Sequence, residues 1–291
     1  MRVTDKMLLT VATQGQRKTM DRLVRATRVA SSGLKVERPS DDPVAFAGTV
    51  SRDARDGVVR ARKEVAERAA NDLQVAEGVL NQAGDMLIRA RELVLGAANE
   101  TVSAEMRATV GQEVRGLRTA LIGLANSRGS NGYLFGGSRS GTAPVSENGV
   151  FSGNPDEVRV DVSDGVSVRT NASGARAFTS VGGLDLFAEM GNLADALERN
   201  DLVAVRRGIN LVDALHKQVR AVQVDAGLDT ERLRSAGDVL GNALAASTEI
   251  RARDVEGDVV EAYSALTVTR DAYTRNVEVT KQILQLSSMQ R

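Results

Sequence analysis

The residues between 73 and 97 carry the pattern that most constrains the fold. Small and medium-sized aliphatic side chains recur there at alternating spacings of three and four residues, at Leu73, Ala76, Leu80, Ala83, Leu87, Ala90, Val94 and Ala97. A helix with this repeat buries one narrow stripe against a partner helix. The sequence therefore predicts a long helix that packs in a coiled coil.

The positions of the prolines indicate where further helices lie. Proline breaks helix interiors, so the long stretches between the prolines are the candidate helices. One of them contains a polar break at 99–103, after which Ser103 is placed to cap a new helix. The apolar positions of that helix are Val110, Val114, Leu117, Leu121 and Leu124. Two antiparallel helices are predicted from this half of the chain.

The C-terminal half repeats the pattern. Gly182 and Gly183 precede a helical run through Leu184, Phe187, Leu193 and Leu197, and Asp201 is placed to cap the next helix. The three-four spacing then returns at Leu233, Ala236, Leu240, Ala243, Ser247 and Ile250. After Asp254 the apolar positions change phase, to Val255, Val259, Ala262, Leu266 and Tyr273. This change predicts a stutter or a break near Gly257.

The middle of the chain predicts a β-hairpin. Valines alternate with polar residues on both sides of Asp164 and Gly165, which supply the β-turn. A two-residue loop would oppose Ser163 to Val166 and place the two valine sets on opposite faces. A three-residue loop opposes Val162 to Val166 and unites them, so we predict a type I turn with Gly165 left-handed in a bulge.

These elements define a mainly α fold with an inserted small β domain, in which the N- and C-terminal segments form a long coiled-coil helical bundle. Aromatic residues make up only 3% of the chain and there is no Trp, which favours thin helical seams over a thick core. The expected divisions are an N-terminal segment at 1–44, a helical body at 45–131 and 184–253, the β domain at 132–183, and a C-terminal helix at 254–291.

Composition and motifs argue against several function classes. The 38 basic and 38 acidic residues give a formal net charge of zero, which argues against nucleic-acid or membrane partners and favours proteins. There is no Cys, so disulfides, thiolate zinc sites and a Cys nucleophile are excluded. The glycine-rich stretch at 129–141 lacks the Lys-Ser or Lys-Thr of a phosphate loop, and His216 is the only histidine. We predict no catalytic, metal-binding or cofactor-binding residues, and no enzyme.

Three segments resemble the family of bacterial flagellins and flagellar hook-associated junction proteins. Residues 30–45 read ASSGLKVERPSDDPVA, which is similar to the N-terminal signature of the family. Residues 132–139 read GYLFGGSR and are similar to the point where junction proteins of the FlgL type pass from helices to an outer β domain. Residues 255–266 read VEGDVVEAYSAL and resemble the start of the C-terminal helix of the family.

Carried over residue by residue, the resemblance marks two sets of positions. The assembly motif consists of Ser32, Gly33, Pro39, Asp41, Asp42 and Pro43. The helix-to-β passage consists of Tyr133, Phe135, Gly136 and Gly137. A simpler interpretation also explains Asp42, because Asp before Pro is a natural helix N-cap with proline at the first helical position.

The resemblance implies a ring of subunits between the hook and the filament of an extracellular flagellum. It implies a FlgK-type junction protein and flagellin as neighbours, and an export chaperone at the C-terminal region. It also implies export through the flagellar type III apparatus without a cleaved signal peptide; the charges within residues 1–30 leave neither a signal peptide nor a membrane span. The chain ends in QLSSMQR, unlike most junction proteins and flagellins, so a small flagellin is the alternative.

The two ends of the chain are expected to pair with each other. Residues 1–38 contain nine basic and three acidic residues, a net charge of +6, whereas residues 254–291 contain four and six, a net charge of −2. The N-terminal seam, through Met20, Leu23, Thr27, Ala30 and Leu34, is mixed with polar residues. We therefore expect both ends to be poorly ordered in the monomer and to become helical on assembly.

Overall fold

The computed structural model of the protein describes residues 3–289, with side chains at 7 and at 10–285. Over this part the chain forms α1 (Val3–Ser32), α2 (Pro43–Ala97), α3 (Ala104–Ala125), β1 (Arg128–Gly129), β2 (Gly132–Tyr133), β3 (Arg159–Ser163), β4 (Val166–Arg169), α4 (Gly174–Phe178), a 3-10 turn (Ser180–Gly182), α5 (Leu186–Glu198), α6 (Leu202–Val255) and α7 (Val259–Met289). The mainly α fold with a small β insertion is confirmed. The chain divides into a terminal unit, up to Val58 and from Ala243, and a central unit between them.

The central unit is built on the predicted seam of α2. All eight apolar positions from Leu73 to Ala97 are buried, as the three-four repeat predicts. The partner helix α6 buries Val212, Leu215, Val219, Val222, Ala226 and Leu233. Side chains at the edge of the seam join the two helices, because Arg91 pairs with Asp213 at 2.6 Å and Arg234 donates to Gln74 at 2.6 Å.

The predicted helix boundaries agree with the structure. Ser103 caps α3 by accepting a hydrogen bond of 3.2 Å from the backbone N–H of Met106. Asp201 caps α6 through the N–H groups of Val203 and Ala204. The predicted break near Gly257 separates α6 from α7. Each boundary follows from a local rule of helix capping or phase.

The predicted apolar seam of α6 does not continue into the terminal unit. Ala243 and Ile250 are exposed and Ser247 is half-buried. Polar pairs join α2 to α6 there: Ser247 donates to the buried Asp56 at 2.7 Å, Arg52 lies 3.3 Å from Asp254, and Arg251 lies 3.5 Å from Asp53. The expectation of a continuous apolar seam was wrong because charged pairs replace it.

Three phenylalanines form an aromatic core that the composition did not predict. Phe135, Phe178 and Phe187 are fully buried. The rings of Phe135 and Phe178 meet edge to face at 5.2 Å between centroids, and Phe187 lies 5.7 Å from Phe178. Gly174 lets the backbone of Phe135 approach, because a Cβ at that position would overlap the carbonyl of Phe135. The few aromatic residues are therefore concentrated where the inserted segment meets the helices.

The β-hairpin differs from the prediction in the length of its loop. Ser163 pairs with Val166, so the loop has two residues, Asp164 and Gly165, and the three-residue loop was wrong. Gly165 is left-handed as expected, with φ 79°. A bulge at Val162 in β3 restores the register, so that Val160 lies directly opposite Val168 on one face. The extra residue needed to unite the valines lies in the strand instead of the loop.

In the terminal unit, α1 packs against α7, as the opposite net charges of the two ends predict. The α1 seam agrees with the prediction at Leu23, Ala30 and Leu34, which are half-buried, and differs at two positions. Thr19 is buried, whereas Met20 and Thr27 are exposed. The hydroxyl of Thr19 donates to the carbonyl of Gly15 and accepts a hydrogen bond of 2.6 Å from Asn276 Nδ2. A threonine whose hydroxyl is fully hydrogen-bonded thus lies on the buried face of α1. That the two ends are poorly ordered in the monomer and become helical only on assembly stays a prediction.

Candidate assembly site

The assembly motif begins with the turn that ends α1. Gly33 is left-handed, with φ 72°, and its N–H donates to the carbonyl of Val29 at 2.9 Å. Ser32 accepts a hydrogen bond of 3.2 Å from the N–H of Leu34 and donates to the carbonyl of Arg28 at 3.0 Å. Glycine is required here because L side chains rarely adopt this backbone conformation.

This turn is hydrogen-bonded to the break between α6 and α7. The N–H groups of Lys35 and Val36 donate to the carbonyl of Val255 at 2.8 and 3.3 Å, and the N–H of Gly257 donates to the carbonyl of Gly33 at 2.9 Å. Val36 and Val255 are buried. We call these two segments, residues 33–36 and 255–257, the terminal clasp. The clasp joins the two chain ends at the point where α1 and α7 begin to pair.

Asp41 shapes the loop that follows the clasp. Its Oδ2 accepts hydrogen bonds from the N–H groups of Glu37 and Arg38, at 3.3 and 3.0 Å, and Arg28 lies 3.8 Å from Oδ1. The N–H of Glu37, then that of Arg38, and the positive charge of Arg28 lower the pKa of this carboxyl below its ordinary value. The carboxylate form of Asp41 therefore holds the loop.

Asp42 has the capping role that the simpler interpretation gave it. Its Oδ1 accepts hydrogen bonds of 3.0 Å from the N–H groups of Val44 and Ala45, and α2 begins at Pro43. Pro39 is exposed in the loop before it. The motif residues thus build one turn, one loop and one cap, all in the terminal unit.

The helix-to-β passage lies in the central unit. Tyr133 is in β2, where the guanidinium of Arg128 stacks 4.6 Å from its ring centroid and donates to its hydroxyl at 2.8 Å. Phe135 enters the aromatic core. At Gly136 a Cβ would lie 2.7 Å from the carbonyl oxygen of Arg139, and at Gly137, with φ 67°, it would overlap Asn154. The two glycines allow the chain to turn closely against its neighbours.

The β-turn belongs to the same unit as the passage and not to that of the assembly motif. Asp164 lies 3.0 Å from Arg62 of α2, but its side chain is almost fully exposed, so this pair contributes little stability. His216 is half-buried, and its ring lies against Gly84.

Several structural side chains gave no signal in the sequence. Gln218 donates to the carbonyls of Ala177, Thr179 and Leu184 and accepts from the N–H of Leu184. Arg107 is buried and donates to the carbonyls of Ala97 and Asn99 and to the side chain of Asn200. These are contacts between residues far apart in sequence or across a turn, which periodicity does not encode.

Among the described residues, no group of three or more His, Asp or Glu side chains is arranged to hold a metal ion. No helix between residues 3 and 289 is long and apolar enough to cross a membrane. The clasp provides a hydrogen-bonded connection between the two terminal segments of the chain.

Comparison with known proteins supports a flagellar interpretation. Residues 3–140 match the bacterial flagellin N-terminal helical region. Flagellar hook-associated protein 3 of Escherichia coli is 31% identical over 153 residues, 52% of this chain and 48% of that protein. The Salmonella typhimurium protein of the same name is 27% identical over 183 residues, covering 62% and 58%. The chain thus spans about half the length of these curated relatives.

Solved structures share the fold. A putative flagellar hook-associated protein from Vibrio parahaemolyticus matches with a TM-score of 0.68 at 19% identity, covering 74% of this chain and all of that chain. FlgL of Xanthomonas campestris matches with a TM-score of 0.62 at 16% identity, covering 69% and 99%. At these identities the likeness concerns the fold alone.

The fold and the clasp define a flagellin-like helical protein whose two ends are joined in one unit. The resemblance to the bacterial flagellin family is confirmed by the match over residues 3–140. The more specific resemblance to flagellar hook-associated protein 3 is also confirmed. By name, these relatives are proteins associated with the flagellar hook.

Proposed function

We propose that this chain is a structural subunit of the bacterial flagellum that joins the hook to the filament and catalyses no reaction. The observation that carries the proposal is the similarity to hook-associated protein 3 in two species. The clasp supports it, because a subunit of a tube wall must return both of its ends to one place.

Each part of the chain has a role in this proposal. The segments 1–44 and 254–291 are the assembly segments that meet neighbouring subunits, and the motif from Ser32 to Pro43 sets their geometry through the clasp. The helical body at 45–131 and 184–253 is the rigid wall. The β domain at 132–183, entered through Tyr133, Phe135, Gly136 and Gly137, decorates the outside.

The proposed partners are other copies of the chain in a ring, a FlgK-type junction protein on one side and flagellin on the other. An export chaperone would bind the C-terminal segment before export. The protein would reach the flagellum by type III export, without a cleaved signal peptide. Marginal terminal helices suit this route, because a segment that folds late can pass a narrow channel.

A small flagellin is the second candidate, and a specific observation favours it. The flagellin of Bacillus subtilis is 28% identical over 253 residues, which cover 79% of this chain and 80% of that protein. A filament subunit and a junction subunit would differ in where the copies sit in the flagellum and in how many there are.

Deletion of the gene in its own bacterium tests the proposal. For a junction subunit, the cells should keep hooks, lose filaments and release unpolymerised flagellin into the medium, and the wild-type gene should restore filaments. In wild-type flagella the protein should be a minor component relative to flagellin. Filaments that persist after the deletion would contradict both candidates, and a dominant amount of this chain in the filament would favour the second.

A further inference from the structure

Four helices of the central unit form a bundle where α2 ends and α6 begins. One contact joins each neighbouring pair of helices: Arg91–Asp213 between α2 and α6, Leu193–Gly208 between α5 and α6, Arg115–Asp195 between α3 and α5, and Arg89–Glu113 between α2 and α3. The order around the bundle is therefore α2, α6, α5, α3. The surface between α2 and α3 and the surface between α5 and α6 are two opposite flanks.

The α5–α6 flank contains a groove of about 350 Å³. Small and aliphatic side chains line it, among them Leu193, Ala196 and Ala204. A Cβ at Gly208 would overlap the side chain of Leu193, so this glycine allows the two helices to approach closely. We call this surface the flank groove.

The two sides of the flank groove carry opposite charges. Glu189 of α5 and Arg207 of α6 both line the groove, and neither makes a side-chain hydrogen bond or an ion pair with any residue that the structure describes. We call the turn at 199–201, between α5 and α6, the tip of the bundle. Arg207 is next to Gly208 and so lies at the height of Leu193, whereas Glu189 lies one helical turn further from the tip. Away from the tip, the order on this flank is base and then acid.

The α2–α3 flank carries an exposed methionine and the reverse order of charges. Met106, in the first turn of α3, is 58% exposed and lines the surface between α2 and α3 together with Glu92 and Arg89. The side chains of Glu92 and Arg89 are 3.6 Å apart, and both are more than half exposed. Helix α2 ends near the tip, because Arg107 donates both to its last carbonyl and to Asn200. Away from the tip, the order on this flank is therefore acid and then base.

We propose that the α2–α3 flank of one copy of this chain binds the α5–α6 flank of the next copy, side by side and in parallel. Met106 of the first copy then enters the flank groove of the second. Glu92 of the first copy faces Arg207 of the second, and one turn further from the tip Arg89 faces Glu189. The two surfaces are different, so the contact is heterologous and each copy keeps one free flank, as a closed ring of copies requires.

The shapes of the two flanks select this arrangement among those that the charges allow. An antiparallel pair of identical flanks would also match acid to base. Two α2–α3 flanks, however, would bring Met106 against Met106, and two α5–α6 flanks would leave both grooves without a side chain to fill them. Methionine is flexible and adapts to irregular apolar surfaces. Pairs of exposed charges add mainly orientation and are screened by salt, so the association should be strongest at low ionic strength.

This proposal rests on the proposed function for its setting and deepens it, because it names the surfaces through which copies in a ring would meet. Both flanks belong to the central unit, so the contact does not require order in the terminal segments. The test below uses purified protein, whereas the proposed function is tested by deletion of the gene. Failure of this contact and failure of the proposed function are therefore seen separately.

Two single substitutions disable one flank each. Met106→Asp removes the apolar side chain that enters the groove, and Ala204→Glu places a carboxylate inside the groove. Both positions are third after an N-cap residue, Ser103 or Asp201, where an acidic side chain is favourable to the helix, so both variants should fold. Val224→Glu is the matched control, because it adds an acid at an exposed position of α6 that lines neither flank.

Sedimentation equilibrium over a range of concentrations measures association, and circular dichroism checks the helices. The wild type and Val224→Glu should form dimers and longer oligomers, whereas Met106→Asp and Ala204→Glu should each stay monomeric. An equimolar mixture of these two should form dimers and nothing larger, because each variant supplies one intact flank. The affinity in the mixture should be at least about tenfold above that of either variant for itself.

A charge exchange at constant net charge tests the parallel orientation. Arg89→Glu with Glu92→Arg inverts the order on one flank and should weaken association about tenfold at low salt. Adding Glu189→Arg and Arg207→Glu inverts the other flank as well and should restore association. A wild type that stays monomeric at all concentrations, a flank variant that associates like the wild type, a mixture that stays monomeric, or a fourfold variant without restored association would overturn the proposal.

Discussion

The carboxylate of Asp229 is buried against the guanidinium of Arg169, with distances of 2.8 Å to Nε and 2.7 Å to Nη2. Arg169 ends strand β4 and Asp229 lies in α6, so this pair ties the inserted hairpin to the helical body. A second arginine, Arg232, also contacts Asp229 at 2.9 Å, but its side chain is largely exposed. The same carboxylate thus has one sheltered partner and one exposed partner.

Removal of the sheltered partner should be far more costly than removal of the exposed one. We expect Arg169→Leu to lower the free energy of unfolding by about 3 kcal/mol, because a buried carboxylate loses its principal counter-charge. Arg232→Leu should lower it by less than about 1 kcal/mol. Urea denaturation of the two variants measures both values. Equal losses would show that Asp229 is not buried as described.

The seam of α2 should not tolerate charge. Leu80 is fully buried, and Leu80→Asp should lower the free energy of unfolding by several kcal/mol, comparable with the whole stability of a domain. Val75 on the same helix is 49% exposed, and Val75→Asp should change stability by less than about 1 kcal/mol. Far-UV circular dichroism and thermal melting of the pair provide the measurement. Wild-type melting of Leu80→Asp would place the seam elsewhere.

The loop held by Asp41 should open in acid. The pKa of Asp41 is lowered in the folded protein, first by the N–H of Glu37 and then by that of Arg38. The unfolded chain therefore takes up the proton first, at a pKa of about 3.9. The stability that Asp41 contributes is fully present above that pH and is lost as the pH falls through the lower folded value.

Hydrogen exchange at the clasp measures this effect. Protection of the Lys35 and Val36 amides, relative to amides near Leu80, should fall in the wild type as the pH drops below about 4, the ordinary pKa of an aspartate. In Asp41→Asn the relative protection should already be low at neutral pH and should change little on acidification. An acid response in the variant equal to that of the wild type would assign the effect to another group.

The sequence predicted the parts of the fold that depend on local chemistry. The α2 seam, the caps at Asp42, Ser103 and Asp201, and the break near Gly257 follow from side-chain spacing or from single capping residues. In the hairpin, the turn at Asp164 and Gly165 and the facing valines were expected, but the bulge at Val162 was not. A bulge depends on packing of the strand and leaves no mark in an alternating pattern.

The clasp could be predicted only in part. Resemblance marked Gly33 and Asp41, but nothing in either segment indicates that Gly33 meets Gly257, more than 200 residues away. One position of the α1 seam was predicted at Met20 instead of Thr19, because Thr19 is polar; in the structure its hydroxyl is hydrogen-bonded to Gly15 and Asn276. Burial of a polar residue depends on such partners, which become known only with the fold.

The two ends should be dispensable for folding of the central unit and necessary for assembly. A variant trimmed of residues 1–40 and 255–291 should keep the melting temperature of the central unit and should not enter flagella. In the full chain, at concentrations below that of any self-association, limited proteolysis should remove the ends first, because a thin helix pair gains little from burial. Protease-resistant ends, or assembly of the trimmed variant, would contradict this expectation.

The position of the protein along the flagellum tests the central claim most directly. Isolated flagella with hooks attached can be labelled with gold-conjugated antibody against the β domain and viewed by electron microscopy. A junction subunit predicts a single narrow band of gold where hook meets filament, and none in the deletion strain. Gold along the whole filament would instead identify a flagellin, and flagella without any gold would contradict the account.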